Sequence, residues 1–298
     1  MARQKINNSD VYEKINSQIL AALDKGVVAW RAQWKPASDG RFPHNASTRR
    51  NYHGSNVWLL GLSRLLQGYQ SNGWLTYNQC KSLKGNVKRG EHGTPITFWR
   101  FIIKNKVNPE TGETEINNMP LLRYFTVFNL DQCENLKMPE KDVEIKPEFS
   151  PIESCENVVS GYPSPPTIAQ GFNECSYSPS RDIVSMPFPD QFVSPDMYYE
   201  SLFHELTHST GHPCRLDRFT SNEAEYNAGR EAHSYEELVA EMGSSYLMGY
   251  TGAALNVSNS AAYIKHWRDK ITEDPRLIVR ASSHAQKAVD HILNEVSE

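Results

Sequence analysis

Apolar residues recur along this chain at helical spacing in some stretches and at strand-like density in others. Ile15, Ile19, Leu20 and Leu23 stand three or four positions apart and predict a helix over 8–26. Similar patterning predicts helices over 54–69 and 76–83. The aromatic and β-branched runs 95–104 and 121–129 flank Asn108-Pro109-Glu110-Thr111-Gly112 and predict a long hairpin. The acidic, proline-bearing stretch from Asp131 to Pro151 reads as a linker. After it come a helix near 152–161, a strand at 167–170 and a hairpin through Tyr177 and 183–186. The next helix opens at Ser194-Pro195-Asp196, an N-cap hydroxyl, a proline at the first helical position and an acid in the first turn. Tyr199, Leu202, Phe203 and Leu206 form its buried stripe, and Gly211 with Pro213 beyond it is a stop signal. Ser234 is read as the cap of a further helix whose Leu238, Val239, Met242 and Tyr246 face the core. Helices near 258–273 and 275–295 finish an α+β chain, divided as an α+β portion over 1–130, a linker over 131–150 and a mainly helical portion over 151–298.

The helix that begins at Ser194 carries His204-Glu205-Leu206-Thr207-His208, on the side away from its apolar stripe. Imidazoles at i and i+4 stack on one helix face, so His204 and His208 can share one divalent cation while Glu205 stands beside it as general base. A three-ligand site needs one more donor. The following helix offers Glu236-Glu237-Leu238-Val239-Ala240-Glu241; Glu237 is assigned as third ligand and Glu241 as acceptor for a ligand imidazole N–H. Two readings compete for Glu237, because Ser234-x-x-Glu237 also has the spacing of a capping box, with Glu236 and Glu241 as substitute ligands. Hydrolysis of an amide is the chemistry such a site supports, with zinc the expected ion and manganese the alternative. His212, His233 and Tyr235 are candidates to stabilise the oxyanion.

Charge changes the picture of the first half. Residues 1–106 carry 17 Lys+Arg against 5 Asp+Glu, net +12; residues 107–298 carry 14 against 30, net −16, which together give the chain's −4. Five of the six tryptophans, Trp30, Trp34, Trp58, Trp74 and Trp99, fall in that basic half. Cations that track phosphates, interleaved with rings that stack on bases, are the composition of a single-strand-nucleic-acid surface. Tryptophans are also ordinary core residues, and Trp58, within Val57-Trp58-Leu59-Leu60, is read that way. The expected DNA contacts are Arg49, Arg50, Tyr52, Trp74, Tyr77, Lys81, Lys84, Lys88, Arg89 and Arg100, with Lys84 to Gly90 as a basic turn.

No run approaches the ~20 apolar residues of a membrane span, and an apolar leader is absent, so a cytoplasmic protein is expected. Five cysteines without a C-x-x-C pair argue against a disulfide framework. No phosphate-binding glycine loop is present, so no nucleotide cofactor is expected.

The chain resembles the ArdC family of plasmid antirestriction proteins, whose N-terminal domain is shared with TraC-type conjugative primases. The likeness is carried by Trp34-Lys35-Pro36, Arg50 to Asn56, Trp74-Leu75-Thr76-Tyr77, Val87 to Gly93, Tyr124 to Asn129, Phe203 to Gly211, Arg215-Leu216 and Glu236 to Glu241. Ser55 departs from the isoleucine frequent there. The resemblance implies a single-strand-DNA-binding N-terminal domain and a gluzincin-like metallopeptidase C-terminal domain. It further implies protection of incoming plasmid DNA from type I restriction. The family's metal ligands fall on His204, His208 and Glu237, with Glu205 as base and a peptide or protein as possible substrate.

Overall fold

The computed structural model describes residues 8–31, 42–107, 114–138, 150–221, 230–255 and 261–295, and within these the side chains of 8–10, 99–107, 114–121, 151, 220–221 and 230–233 are not described. The predicted hairpin turn at 108–112 lies outside them. Helix α1 (Asn8–Leu23) is followed by β1 (His44–Asn45), α2 (Ser55–Gln67), β2 (Gly73–Thr76), α3 (Tyr77–Ser82) and β3 (Asn86–Val87). The two long strands β4 (Thr94–Val107) and β5 (Thr114–Asn129) are antiparallel and complete a sheet of order β1-β2-β5-β4. The stretch read as a linker opens in regular structure: β6 (Cys133–Glu134) pairs with β3. Beyond it lie α4 (Pro151–Gly161), β7 (Thr167–Gln170), β8 (Ser176–Ser178), β9 (Ile183–Met186), α5 (Pro195–Ser209) and α6 (Arg218–Ser221). The last helices are α7 (Arg230–Thr251), α8 (Ala261–Glu273) and α9 (Leu277–Ile292). Strands β7, β9 and β8 form a second mixed sheet with β8 at one edge.

Local chemistry explains the helix that matters most. The Ser194 hydroxyl accepts the Met197 N–H at 3.3 Å, Pro195 occupies the first turn, and Tyr199, Leu202, Phe203 and Leu206 are buried. Ser234 is corrected: α7 begins at Arg230, so Ser234 lies inside the helix and not at its N-cap, and the capping-box reading of Glu237 falls with it.

The largest core draws on both halves of the chain. Val11, Ile15 and Ile19 of α1, Trp30, Trp58 and Leu122 are buried in one cluster with Phe203 of α5, Leu238 and Met242 of α7 and Ile278 of α9. Polar bonds cross the same boundary: the Tyr246 hydroxyl donates to the Gly54 carbonyl at 2.7 Å, and the Gly54 N–H donates to Gln286 at 3.2 Å. The Trp58 and Tyr246 rings lie 4.2 Å apart.

Helix α5 packs along α7, and the tightest point is Gly243. A Cβ there would sit 2.5 Å from Thr207 Cγ2 and 2.7 Å from its Oγ1. Thr207 cannot easily turn away, because its χ1 is stiff and its hydroxyl donates to the Phe203 carbonyl at 2.7 Å. Gly243→Ala should therefore lower stability by about 1–2 kcal/mol, overpacking of about 1–3 kcal/mol being offset by up to about 1 kcal/mol of helix propensity. A denaturant midpoint that falls at constant m-value would confirm the clash; a rise would show that α7 has room to spare.

Candidate functional site

The approach of α7 to α5 assembles one cluster. The His204 and His208 Nε2 atoms lie 3.1 Å apart, and the Glu237 carboxylate reaches both, at 3.3 Å and 3.4 Å. These three side chains offer donor atoms that all lie within 4.8 Å of one another. Tetrahedral donors held about 2.0–2.1 Å from an ion are separated by about 3.3 Å, so the spacing present suits one divalent cation. The donor set itself, two imidazoles and a carboxylate, is a zinc-type combination.

Glu241 is corrected: it does not accept from a ligand imidazole, the role its sequence spacing suggested. Its carboxylate accepts the Trp30 indole N–H at 3.1 Å and the Tyr263 hydroxyl, so it bridges a residue of the first half to α8. The acceptor beside the imidazole is Glu236, whose Oε1 is 3.5 Å from His208 Nδ1. Glu236 is buried and held by Arg218, which donates to both carboxylate oxygens at 2.6 Å and 3.3 Å. Arg218 also donates to Thr210 Oγ1 at 2.6 Å and to the Thr207 carbonyl at 3.0 Å, tying it to the end of α5. No sequence signal announced Arg218; only the fold brings it to the site.

Charge at the cluster follows these contacts. Burial works against protonation of His208, but Glu236 and Glu237 outweigh it and push the imidazole up to about 9. Burial raises Glu237, yet His204 and His208 hold its carboxyl well below the usual carboxylate range. Burial likewise raises Glu236, and Arg218 outweighs it, leaving that carboxyl low. Glu205 goes the other way: only 8% exposed, it is raised chiefly by burial, against the pull of the two histidines. Its carboxylate accepts the backbone N–H of Tyr177 on the edge strand β8. A cleft of about 340 Å³ opens beside His204 and Glu205, lined also by Arg31, Glu200, Glu241 and Ser244. A bound divalent ion would supply Lewis acidity toward a carbonyl oxygen and acidify water there. Glu205, raised by burial and oriented by β8, can hold the proton that such water gives up.

Of the oxyanion candidates, His212 Nδ1 lies 2.9 Å from Cys214 Sγ and the Tyr235 hydroxyl 3.0 Å from His284 Nδ1, so both are engaged elsewhere; the His233 side chain lies outside those described.

The nucleic-acid expectations divide by exposure. Arg49, Arg50, Lys81, Lys84, Lys88 and Arg89 are exposed, Tyr52 is half-buried, and Tyr77 is 51% exposed with Lys81 Nζ 5.7 Å from its ring. Trp74 is corrected: it is 0% exposed, packed with Leu60, Ile96 and Val127 beneath the sheet, and offers no face to a base. Trp30 and Trp58 are core as well. Trp34 and the side chains of Trp99 and Arg100 lie outside the described residues. Among the described residues, no helix is long and apolar enough to cross a membrane.

Two substitutions separate these roles. Arg218→Met strands a buried carboxylate, so it should cost about 3–5 kcal/mol of stability and weaken metal retention about 10–100-fold. Glu241→Gln should leave metal content unchanged by elemental analysis, and loss of the ion there would reinstate Glu241 in the site.

Comparison with known proteins agrees with this architecture. A model of the N-terminal domain of anti-restriction factor ArdC matches residues 9–128, and a zincin-like metallopeptidase model matches residues 163–284. The metal-free crystal structure of antirestriction ArdC from plasmid R388 is 32% identical with a TM-score of 0.74, covering 97% of this chain and 100% of that one. The Mn(II)-bound structure of the same protein is 32% identical with a TM-score of 0.73, over 96% and 97%. An uncharacterized protein, y4eC of Sinorhizobium fredii, is 32% identical over 95% of this chain and 91% of its own length. A DNA primase TraC of Escherichia coli is also 32% identical over 95% of this chain, which spans only 27% of the primase. The zincin-like domain and the manganese-bound relative together support a divalent metal ion as cofactor. Matched end to end by one antirestriction protein and carrying both of its domain types, the chain belongs to the ArdC family.

Proposed function

We propose that this protein binds single-stranded DNA through its basic half and protects DNA entering a recipient cell by conjugation from type I restriction, acting in the cytoplasm. The observation that carries the reading is the full-length likeness to antirestriction ArdC of plasmid R388. Arg49, Arg50, Lys81, Lys84, Lys88 and Arg89 are exposed in the half with net charge +12, as phosphate contacts must be. Lys84 and Gly90 both adopt positive φ on either side of β3, so the basic stretch is a short strand between two bends and not the single tight turn expected. In the other half His204, His208 and Glu237 hold the divalent ion, Glu236 orients His208, and Glu205 is the base. Tyr52 and Tyr77 are the remaining aromatic contacts of the original set.

A second reading has its own support. Glu205 is buried, raised and bonded to the β8 backbone beside an open cleft. That arrangement favours a working peptidase over a purely structural ion, with a peptide lying against the β8 edge and bound DNA bringing the enzyme to its protein substrate.

Binding and chemistry are tested separately. For the wild-type chain on labelled oligo(dT), log K should fall with log[salt] at about −0.7 per phosphate contact. A flat response would remove the nucleic-acid reading. Glu205→Gln keeps the side-chain shape and should retain the metal; if protection against restriction survives it, the peptidase reading is sunk, and if protection is lost, the chemistry is required.

A further inference from the structure

A solvent-facing aromatic surface lies on the sheet where β5 pairs with β4, away from the buried tryptophans. Phe125 on β5 is 51% exposed, and its ring stacks on Phe98 of β4, with centroids 4.4 Å apart and planes 19° from parallel. The strand register pairs Phe125 with Ile96 and Arg123 with Phe98. Side chains two positions apart on a strand share a face, so these four stand together. Ile96 is buried in the cluster that holds Trp74, which anchors the patch at its inner end. Arg123 is half-exposed and has no carboxylate partner among the described residues.

An exposed stacked pair needs an occupant, and charge selects one. Strand β5 is paired here to β4, most of which belongs to residues 1–106, the stretch with 17 Lys+Arg against 5 Asp+Glu, and Arg123 adds a cation from β5 itself. A guanidinium beside a bare phenyl face pairs a phosphate contact with a stacking contact, the two elements of single-strand binding. We infer that Phe125, seated on Phe98 and flanked by Arg123, is the platform on which an unpaired base stacks, with Arg123 against the adjoining phosphate. This rests on the single-strand reading above and adds to it the ring that Trp74 cannot supply. Every base has a flat face, so the platform is indifferent to sequence.

The test uses the full chain and fluorescence anisotropy of labelled oligo(dT) over a salt series, with thermal melts of each variant. Phe125→Ala should weaken binding about 5- to 150-fold, with its salt slope and melting temperature unchanged. Phe125→Trp should restore affinity, whereas Phe125→Leu, apolar but without a ring, should bind as poorly as alanine. Arg123→Ala should reduce the slope by about 0.7. Wild-type affinity in Phe125→Leu overturns the platform and leaves the single-strand reading standing. A wild type without salt-dependent affinity overturns that reading, and the platform with it. If Phe125→Ala instead converts a dimer to a monomer in sedimentation while oligo(dT) affinity is unchanged, the pair is a protein contact and the inference fails.

Discussion

Between Thr207 of α5 and Gly243 of α7 there is no space for a side chain, and the whole metal cluster depends on that contact. The two imidazoles come from one helix and the carboxylates from the other, so the 3.3–3.4 Å between Glu237 and the imidazoles exists only at this interhelical distance. Ser244 reinforces it by donating to the Glu200 carbonyl at 2.7 Å. Burying Glu236 and Arg218 beside the cluster costs several kcal/mol per ion in lost hydration. The two-oxygen contact, with further bonds from Arg218 to Thr207 and Thr210, offsets much of that cost and fixes Glu236 against His208. Buried charge here serves geometry more than stability.

The same environment drives two neighbouring carboxyls in opposite directions. Glu237 faces both imidazoles and is held ionised, whereas Glu205 is dominated by desolvation and pushed up. Divergence of this kind separates a group suited to bind a cation from one suited to carry a proton. Both lie on helices that a single dense core immobilises, so the separation is built into the packing.

Much of this was legible in the sequence because it is local. Ser194-Pro195, the apolar stripe of α5 and the i, i+4 histidines each follow from spacing within one helix. What periodicity cannot supply is the neighbour a side chain meets. Glu241 stands one turn beyond Glu237, yet Tyr263 of the next helix and Trp30, from the other end of the chain, reach it. Glu236 became the imidazole's partner because Arg218 holds it there. Ser234 had the composition of a cap, but α7 starts earlier, at Arg230. Trp74 sits amid basic residues, and α2 and the sheet bury it; Phe125, in an ordinary strand sequence, is left outside.

Because Trp30, Trp58 and α1 are buried in the same cluster as α5, α7 and α9, neither half has a complete apolar interior of its own. Severing the chain near its middle would leave two fragments, each exposing a broad greasy wound. Keeping that shared interior closed requires the two halves to stay together. The likeness to the primase TraC has that form: it runs over 95% of this chain, taking in the basic half and the zincin-like half together.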